Sequence, residues 1–302
     1  MIKVTILGNN SALPAHGRHP TAQVVEMQDE LFLVDCGEGT QVRLHDLHIS
    51  RGRIDHIFIS HLHGDHYFGL IGLINSMGLL GRIAPLHIYG PAPLLEIVQL
   101  QMKAADGHLP FELQFTDLTA TAPGLIVNHK RYRVSFFPVE HRIPAFGFLF
   151  EEVKAKRRLN PERCREYMIP KYFYSRLTEG EDYIRKDDTV VKNEWVTHDG
   201  KQGKRYAFCA DTKYTQSFLP WIKGADAIYH ETTFLKDLSE RAADRYHSTT
   251  EQAGKLALEA GVGQLLIGHY SSKYKDVTPF LEETQAVFPN TILTVEGETY
   301  EI

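Results

Sequence analysis

The stretch ISHLHGDHYFGL, residues 59–70, places three histidines and one aspartate within six positions: His61, His63, Asp65 and His66. The apolar run RIDHIFIS, residues 53–60, leads into it and has the composition of a buried strand. In an extended chain, side chains two positions apart point to the same side. Imidazole and carboxylate groups are the ligands that zinc prefers outside all-cysteine sites. The stretch therefore predicts a metal site, and a solvated polar loop after a strand is the ordinary alternative.

Three further ligand-type residues stand where apolar strands end. His141 ends SFFPVEH, Asp211 ends YAFCAD, and His269 ends QLLIGH. Open α/β sheets place their ligands at such strand ends. Taken singly, each residue has an ordinary alternative, because a strand-end aspartate often caps a helix. Together with the cluster they make seven ligand-type residues, enough for two zinc ions that share one carboxylate.

Short β-branched runs alternate with segments of helical spacing in both halves of the chain. This alternation predicts an α/β fold with sheets inside and helices outside. The segment TTEQAGKLALEAG, residues 249–261, predicts a helix with Ser248 and Glu251 as a capping box and Gly261 as its end.

Residues 151–198 break the alternation, because they are polar, charged and tyrosine-rich with no clear core strand. They predict a projecting insertion within a single domain that spans residues 1–302. NPERCREYM, with Asn160 as cap, and YFYSRLTEG predict two short helices inside it. A disordered linker is the alternative, but the aromatic content of the segment argues against disorder.

The composition excludes several classes of protein. The chain has 302 residues, of which 43% are hydrophobic, and a net charge of −5, so the whole surface does not attract nucleic acid. Its three cysteines are odd in number and far apart, which is typical of a reducing compartment and not of a disulfide framework. We find neither a signal peptide nor an apolar run long enough to span a bilayer. We therefore expect a soluble, cytoplasmic protein with no membrane association.

The motifs around these residues resemble a known family. LVDCGEGTQ, SHLHGDHYFGL, VEHRIPAFGF, ADT, HETT, HSTTEQA and GHYSSKY follow one another along nearly the whole chain. In this order they resemble the metallo-β-lactamase superfamily, a four-layer αββα sandwich, and within it the short form of ribonuclease Z, the tRNA 3′-processing endonuclease. Histidine instead of glutamate at position 63 speaks against the di-iron flavoprotein branch of the superfamily.

The resemblance implies a role for each ligand-type residue. It implies that one zinc ion is held by His61, His63 and His141. It implies that the other is held by Asp65, His66 and His269, with Asp211 bridging the two ions. Two such ions activate a water and clamp the oxygens of an in-line phosphodiester displacement, and Asp65 would also orient the attacking group. Resemblance further suggests that Asp35 orients a metal ligand.

The leaving ribose 3′ oxygen of a tRNA needs a proton, and His247 is the candidate donor. His247 precedes the serine before a predicted helix, and a helix N-terminus disfavours imidazolium. It therefore needs a carboxylate partner, for which Glu231 in HETT is available, and ribonuclease Z carries a histidine and a glutamate at matching motifs. A simple helix-entry residue is the alternative for His247, and His230 is expected to be structural.

A basic segment predicts how substrate is held. From Glu151 to Arg176 the chain carries a charge of +4, whereas the remaining residues carry −9. The positive residues of this segment are Lys154, Lys156, Arg157, Arg158, Arg163, Arg165, Lys171 and Arg176. Such a segment on an acidic body is typical of contact with a phosphate backbone, and the resemblance implies an arm that clamps tRNA. The Gly-Pro turn usual in the family's arm is replaced by MIPKYFYSRL, and a solvated charged face is the alternative.

We therefore expect a zinc-dependent hydrolase that removes the 3′ trailer from precursor tRNA and leaves a 3′-hydroxyl. The resemblance also implies a homodimer. A small-molecule phosphodiesterase or thioesterase of the superfamily would lack the arm and the HETT and HSTTEQA motifs. A non-catalytic RNA-binding subunit would have lost ligands. A 3′ exonuclease on the same scaffold stays open.

Overall fold

The computed structural model describes residues 1–209 and 211–302. These residues form two compact units, one of Met1–Glu151 with Lys204–Ile302 and one of Glu152–Gly203. No helix in the described part of the chain is long and apolar enough to cross a membrane.

The strands, in chain order, are β1 (Ile2–Gly8), β2 (Asn10–Ser11), β3 (Ala22–Met27), β4 (Glu30–Val34), β5 (Ile54–Phe58), β6 (Leu86–Gly90), β7 (Leu113–Asp117), β8 (Gly124–Asn128), β9 (Tyr132–Pro138), β10 (Phe146–Glu152), β11 (Arg158–Leu159), β12 (Tyr183–Ile184), β13 (Val190–Val191), β14 (Thr197–His198), β15 (Arg205–Phe208), β16 (Ala227–Glu231), β17 (Gln264–Gly268), β18 (Tyr270–Ser271), β19 (Thr291–Leu293) and β20 (Thr299–Glu301). The α-helices are α1 (Thr40–Asp46), α2 (Gly64–Tyr67), α3 (Leu70–Leu79), α4 (Pro93–Ala104), α5 (Pro161–Glu166), α6 (Tyr174–Thr178), α7 (Asn193–Val196), α8 (Leu219–Ile222), α9 (Ser239–Arg245), α10 (Thr250–Ala260) and α11 (Thr278–Gln285). Short 3₁₀ helices cover Arg51–Arg53, Lys171–Phe173 and Lys236–Leu238.

The first unit contains two seven-stranded sheets. The strand order of one is β20-β1-β3-β4-β5-β6-β7, and the order of the other is β19-β17-β16-β15-β10-β9-β8. Within the first sheet β4, β5, β6 and β7 run parallel, and within the second β15, β16, β17 and β19 do. The parallel strands of each sheet therefore end at a common edge, where polar residues that follow them can meet.

Three apolar layers hold this unit together. One layer joins the two sheets through large side chains such as Phe32 and Phe58 from the first and Phe148 and Tyr206 from the second. A second layer packs α1, α3 and α4 on the outer face of the first sheet, and a third packs α8, α10 and α11 on the second. The helix–sheet–sheet–helix order confirms the predicted αββα sandwich.

The predicted elements agree with the structure except in detail. The helix at residues 249–261 is α10, and it ends as expected at Gly261, which has the left-handed φ of 62°. Its cap was predicted one residue too early, because the capping box consists of Thr249 and Gln252. Ser248 instead donates its hydroxyl to the Thr212 carbonyl at 2.7 Å, so it joins the start of α10 to the segment after β15.

The unit Glu152–Gly203 has its own small core, built from Cys164, Ile169, Phe173, Leu177, Val191 and Val196. It contains α5, α6, α7 and the strand pairs β11–β14 and β12–β13. Asn160 caps α5 as predicted, accepting from the backbone N–H groups of Glu162 and Arg163. The unit extends to Gly203, and beyond β14 the Ala155 N–H donates to the Lys201 carbonyl at 3.1 Å.

Candidate functional site

The polar residues singled out in the sequence follow the ends of strands from both sheets. His61 and His63 follow β5, and Asp65 and His66 lie on the short helix α2 that comes next. From the second sheet, the ligand-type residues that follow β9, β15 and β17 are His141, Asp211 and His269. All seven side chains meet in two groups, and the ligand atoms of each group lie within 4.8 Å of one another.

The first group contains His61, His63, His141 and Asp211. His63 Nδ1 lies 3.1 Å from His61 Nε2 and 3.1 Å from His141 Nε2. Asp211 Oδ2 lies 3.7 Å from His61 Nε2. Two nitrogen ligands of one tetrahedral zinc ion are separated by about 3.3 Å, so these spacings suit a shared cation.

The second group contains Asp65, His66 and His269. Asp65 Oδ2 lies 3.6 Å from His66 Nε2 and 3.4 Å from His269 Nε2. Asp211 Oδ2 approaches the same two nitrogens, at 3.4 Å and 3.2 Å respectively. Asp211 therefore lies between the two groups, where a bridging carboxylate would have to be.

The second ring nitrogen of His66 and of His61 is held by a buried hydrogen-bond network. His66 Nδ1–H donates to Asp35 Oδ2 at 2.7 Å, and His61 Nδ1–H donates to Ser60 Oγ at 3.0 Å. Ser60 donates its backbone N–H and its hydroxyl to Asp35, at 2.7 and 2.8 Å. Burial raises the pKa of Asp35, while His66 and Ser60 oppose that rise. Asp35 thus contacts the ligand that the sequence analysis expected it to orient, and the network leaves the Nε2 atoms of both rings free to face the centre.

His141 and His269 are oriented in the same way. His141 Nδ1–H donates to the carbonyl of Tyr246 at 2.9 Å. His269 Nδ1–H donates to Thr233 Oγ1 at 2.9 Å, and Thr233 donates in turn to Glu231. Ser60, Thr233 and Tyr246 are not predicted from the sequence, although Ser60 and Thr233 stand in the quoted stretches SHLHGDHYFGL and HETT.

These residues fit a metal ion. His66 Nε2 is buried and has no hydrogen-bond partner among the described residues. Burial alone would lower the pKa of His66, but the surrounding carboxylates, Asp211 foremost, raise it well above its usual value. The surroundings of His66 Nε2 therefore stabilise a positive charge. Burial lowers the pKa of His61 and lowers that of His63 to about 4, which keeps both rings neutral, as metal ligands must be.

His247 and Glu231 form a buried pair beside the centre. His247 Nδ1 lies 2.8 Å from Glu231 Oε1 and 3.9 Å from Asp211 Oδ2. Burial opposes the charged ring, but the Glu231 carboxylate outweighs it and raises the pKa of His247 to about 9. Glu231 also accepts from the Thr212 N–H at 2.9 Å. The partner that the sequence analysis required for a protonated His247 is therefore in contact with it. His247 also joins Asp211 and His269 in a third group of possible ligands.

His230 lies apart from these groups. Its ring is buried, donates from Nδ1 to the Glu231 carbonyl at 2.7 Å and stacks on Phe218 at 6.3 Å between ring centroids. It occurs in none of the possible ligand groups found among the described residues. These contacts are those of a packing residue.

The eight cations between Glu151 and Arg176 differ in their surroundings. Five form ion pairs within the unit: Lys154 and Arg157 with Asp199, Lys156 with Glu179, Arg163 with Glu166, and Arg176 with Glu181. Within the described part of the chain Arg158, Arg165 and Lys171 form no ion pair, and all three are exposed. Aromatic side chains are exposed in this unit as well, with Tyr172 78% and Trp195 47% accessible. Over Glu152–Gly203 the net charge is only +2, because acidic residues follow Arg176.

Known structures share this fold. The human short-form tRNase Z superimposes with a TM-score of 0.70 and 23% identity, covering 99% of each chain. The metallo-β-lactamase fold protein YhfI from Bacillus subtilis gives a TM-score of 0.69 and 19% identity, covering 99% of this chain and 98% of its own. Both likenesses show the metallo-β-lactamase fold.

A family model described as Anti-Pycsar protein Apyc1 matches residues 2–153, a range that excludes Asp211, Glu231, His247 and His269. Curated relatives extend over all of these positions. The protein named Ribonuclease Z from Porphyromonas gingivalis W83 is 42% identical over 97% of this chain and 96% of its own length. The Ribonuclease Z of Cytophaga hutchinsonii is 40% identical over 98% of this chain and 94% of its own length. The chain therefore belongs to the ribonuclease Z family.

Proposed function

We propose that this chain is a metal-dependent endonuclease that removes the 3′ trailer from precursor tRNA and leaves a 3′-hydroxyl on the tRNA. One observation carries the proposal. Seven possible metal ligands and a histidine–glutamate pair lie in one site, in a chain about 40% identical to proteins named Ribonuclease Z over nearly its full length. RNA cleavage needs both, because the ribose oxygen leaves only when protonated.

Zinc is the cation we propose, with two ions per chain. Three imidazoles and a carboxylate would hold one ion: His61, His63, His141 and Asp211. Two imidazoles and two carboxylates would hold the other: Asp65, His66, His269 and the shared Asp211. When bound, such ions supply an activated water and electrostatic stabilisation of the phosphate oxygens. Imidazole-rich donor sets with carboxylates are those that zinc accepts.

The protein's own groups complete the chemistry. Asp65 would orient the attacking water, which is supported by the approach of its carboxylate to the ring nitrogens of His66 and His269. Water attacks phosphorus and gives up a proton to the solvent, and the bond from phosphorus to the ribose 3′ oxygen breaks. His247 donates its proton to that oxygen and is protonated again from the solvent. Glu231 stays ionised and keeps His247 protonated for this step. The products are a tRNA with a 3′-hydroxyl and a trailer with a 5′-phosphate.

The inserted unit is proposed as the tRNA-binding arm. Its support is the set of eight cations between Glu151 and Arg176, of which the exposed Arg158, Arg165 and Lys171 form no ion pair within the described chain. Exposed aromatic residues near cations also suit RNA, since bases stack on aromatic rings. We further propose a homodimer, on the ground of the family resemblance, and a cytoplasmic location, on the ground of the cysteine content and the apolar patterning of the sequence.

Product mapping tests the function. The chain is incubated with zinc and a precursor tRNA that carries a label at its 3′ end, and the ends of both products are mapped. We expect one intact trailer and one tRNA ending in a 3′-hydroxyl, with no product from Asp65→Ala. A ladder of single nucleotides would indicate a 3′ exonuclease. Hydrolysis of bis-p-nitrophenyl phosphate without any cleavage of tRNA would indicate a small-molecule phosphodiesterase.

A further inference from the structure

Residues 10–19, called here loop 10–19, reach the second ligand group through a backbone donor. The N–H of Ala12 donates to Asp65 Oδ2 at 2.7 Å. This is the carboxylate oxygen that lies 3.4 Å from His269 Nε2 and 3.6 Å from His66 Nε2. The donor therefore occupies one lone pair of Asp65 and fixes the direction of the others.

The same loop is joined to the chain that follows His269. The strand β2, Asn10–Ser11, pairs in parallel with β18, Tyr270–Ser271, and β18 begins directly after His269. The N–H of Tyr270 also donates to the Asn9 carbonyl at 3.0 Å. Loop 10–19 is thus bonded to Asp65 and to the strand next to His269, two of the three residues in the second group.

Arg18 holds this loop in place. Its Nε–H donates to Asn10 Oδ1 at 2.9 Å, and its two terminal nitrogens donate to the carbonyls of Tyr274 and Lys275. Asn10 in turn donates its side-chain N–H to the Leu13 carbonyl at 2.6 Å. One guanidinium therefore connects the two arms of the loop and ties both to the segment after β18.

Two backbone conformations in this region need such support. Ala12 has a φ of 69° and His269 a φ of 59°, and both belong to the left-handed region that non-glycine residues rarely adopt. Residues persist there only when surrounding contacts hold them. The bonds of loop 10–19 act at Ala12 and at the residue after His269, where the unusual conformations occur.

We propose that Arg18 is a positioning residue for the second cation, acting through loop 10–19 on Asp65 and His269. The inference rests on the proposed dinuclear centre. In the first group His61 is fastened by Ser60 and His141 by Tyr246, and the loop makes no hydrogen bond to that group within residues 1–209 and 211–302. Loss of Arg18 should therefore weaken one of two binding steps.

The test is a titration of the metal-free chain with zinc in competition with a chromophoric chelator. In the wild type we expect two binding steps. Arg18→Ala should weaken one step by roughly 10-fold or more, the effect typical of removing a group that orients a ligand, and leave the other unchanged. The zinc affinity of Arg18→Lys in that step should lie between those of the wild type and Arg18→Ala, because an ammonium cannot replace the planar fork of donors. Arg53→Ala is the matched control, since Arg53 donates to the Asp29 carbonyl at the opposite end of β5.

Selective weakening, with unfolding of the metal-free chain no different from that of Arg53→Ala, would support the role of Arg18. Two unchanged steps would overturn it, and so would equal weakening of both steps, which would indicate a general loss of structure. If Arg18→Ala does not fold, Arg18→Gln is judged by the same two steps. A wild-type chain that takes up a single zinc ion would contradict the dinuclear centre itself, and with it this inference.

Discussion

Replacing His247 with alanine should separate the cleavage of RNA from the cleavage of a phosphodiester that has a good leaving group. His247 is held against Glu231 at 2.8 Å, and a pKa of about 9 keeps the ring protonated at neutral pH. Glu231 therefore stabilises the protonated ring that can supply the ribose oxygen with its proton. p-Nitrophenolate leaves without a proton, so its release does not depend on His247.

The size of the effect follows from that protonation state. General acids contribute about 10²–10⁴-fold, and the variant should lose this factor on RNA because alanine cannot donate a proton. That factor corresponds to about 3–5 kcal/mol of transition-state stabilisation. On bis-p-nitrophenyl phosphate the loss should stay below about 10-fold, since the metal ligands are unchanged.

The fold should survive the substitution. Glu231 would lose one partner but would keep the Thr212 N–H at 2.9 Å and the N–H of Thr233 at 3.2 Å. The assay is single-turnover cleavage of labelled precursor tRNA at saturating enzyme, run beside hydrolysis of the small ester. His45→Ala, which removes an exposed histidine on α1, is the control.

Equal losses on the two substrates would refute the reasoning. They would mean that His247 organises the centre or the fold and does not donate a proton. A zinc content below that of the wild type would lead to the same conclusion, because His247 also lies near Asp211 and His269.

Three further predictions address the centre, the inserted unit and the fold. Asp65→Ala should abolish turnover on both substrates and reduce the zinc content, measured by elemental analysis, from two ions to one. An inactive variant that still holds two ions would show that Asp65 orients the water but is not needed to bind the metal. Neutralising Arg158, Arg165 and Lys171 should weaken tRNA binding. The slope of log affinity against log salt concentration should become flatter by up to about 0.9 for each phosphate that the arm no longer binds. Neutralising the ion-paired Lys156, Arg163 and Arg176 changes the net charge equally but should alter this slope less, and equal slopes would show that the unpaired cations have no special role in binding. Burial, and to a smaller extent the neighbouring His87, lower the pKa of His56 to about 4. As the pH falls below 6.5 the unfolded chain takes up a proton that the folded chain does not, so the free energy of unfolding decreases. Urea unfolding should show that His56→Phe loses up to about 2 kcal/mol less stability than the wild type between pH 7 and pH 5, and parallel losses would contradict this assignment.

The ligand-type residues could be found from the sequence because each stands near the end of an apolar strand. A strand of alternating or continuous apolar residues is recognisable, and the polar residue that ends it is conspicuous, as at His141 and His269. The structure brings all seven together beyond the ends of strands from both sheets.

The supporting contacts could not be found in this way. Ser60 acts through a hydroxyl, which does not belong to the imidazole and carboxylate groups that mark the ligand-type residues, and Tyr246 acts through a backbone carbonyl, which every residue possesses. The contribution of Ala12 is a backbone N–H, which every residue but proline possesses. The capping box was misplaced by one residue because HSTTEQA offers three consecutive hydroxyl side chains, each able to cap. Ion pairing in the inserted unit depends on residues as distant in sequence as Arg157 and Asp199.

The centre is assembled from both sheets, since β5 contributes His61 and His63 while β9, β15 and β17 contribute the residues that follow them. An unfolded chain does not hold His61 near His269, so a cation that binds all of these ligands recognises only the folded state. By mass action such a ligand adds about 2.7 kcal/mol to the free energy of unfolding at a concentration of one hundred times its Kd. The ions would then act as a reversible cross-link across one edge of the sandwich, and the supply of zinc would affect the stability of the fold as well as the activity.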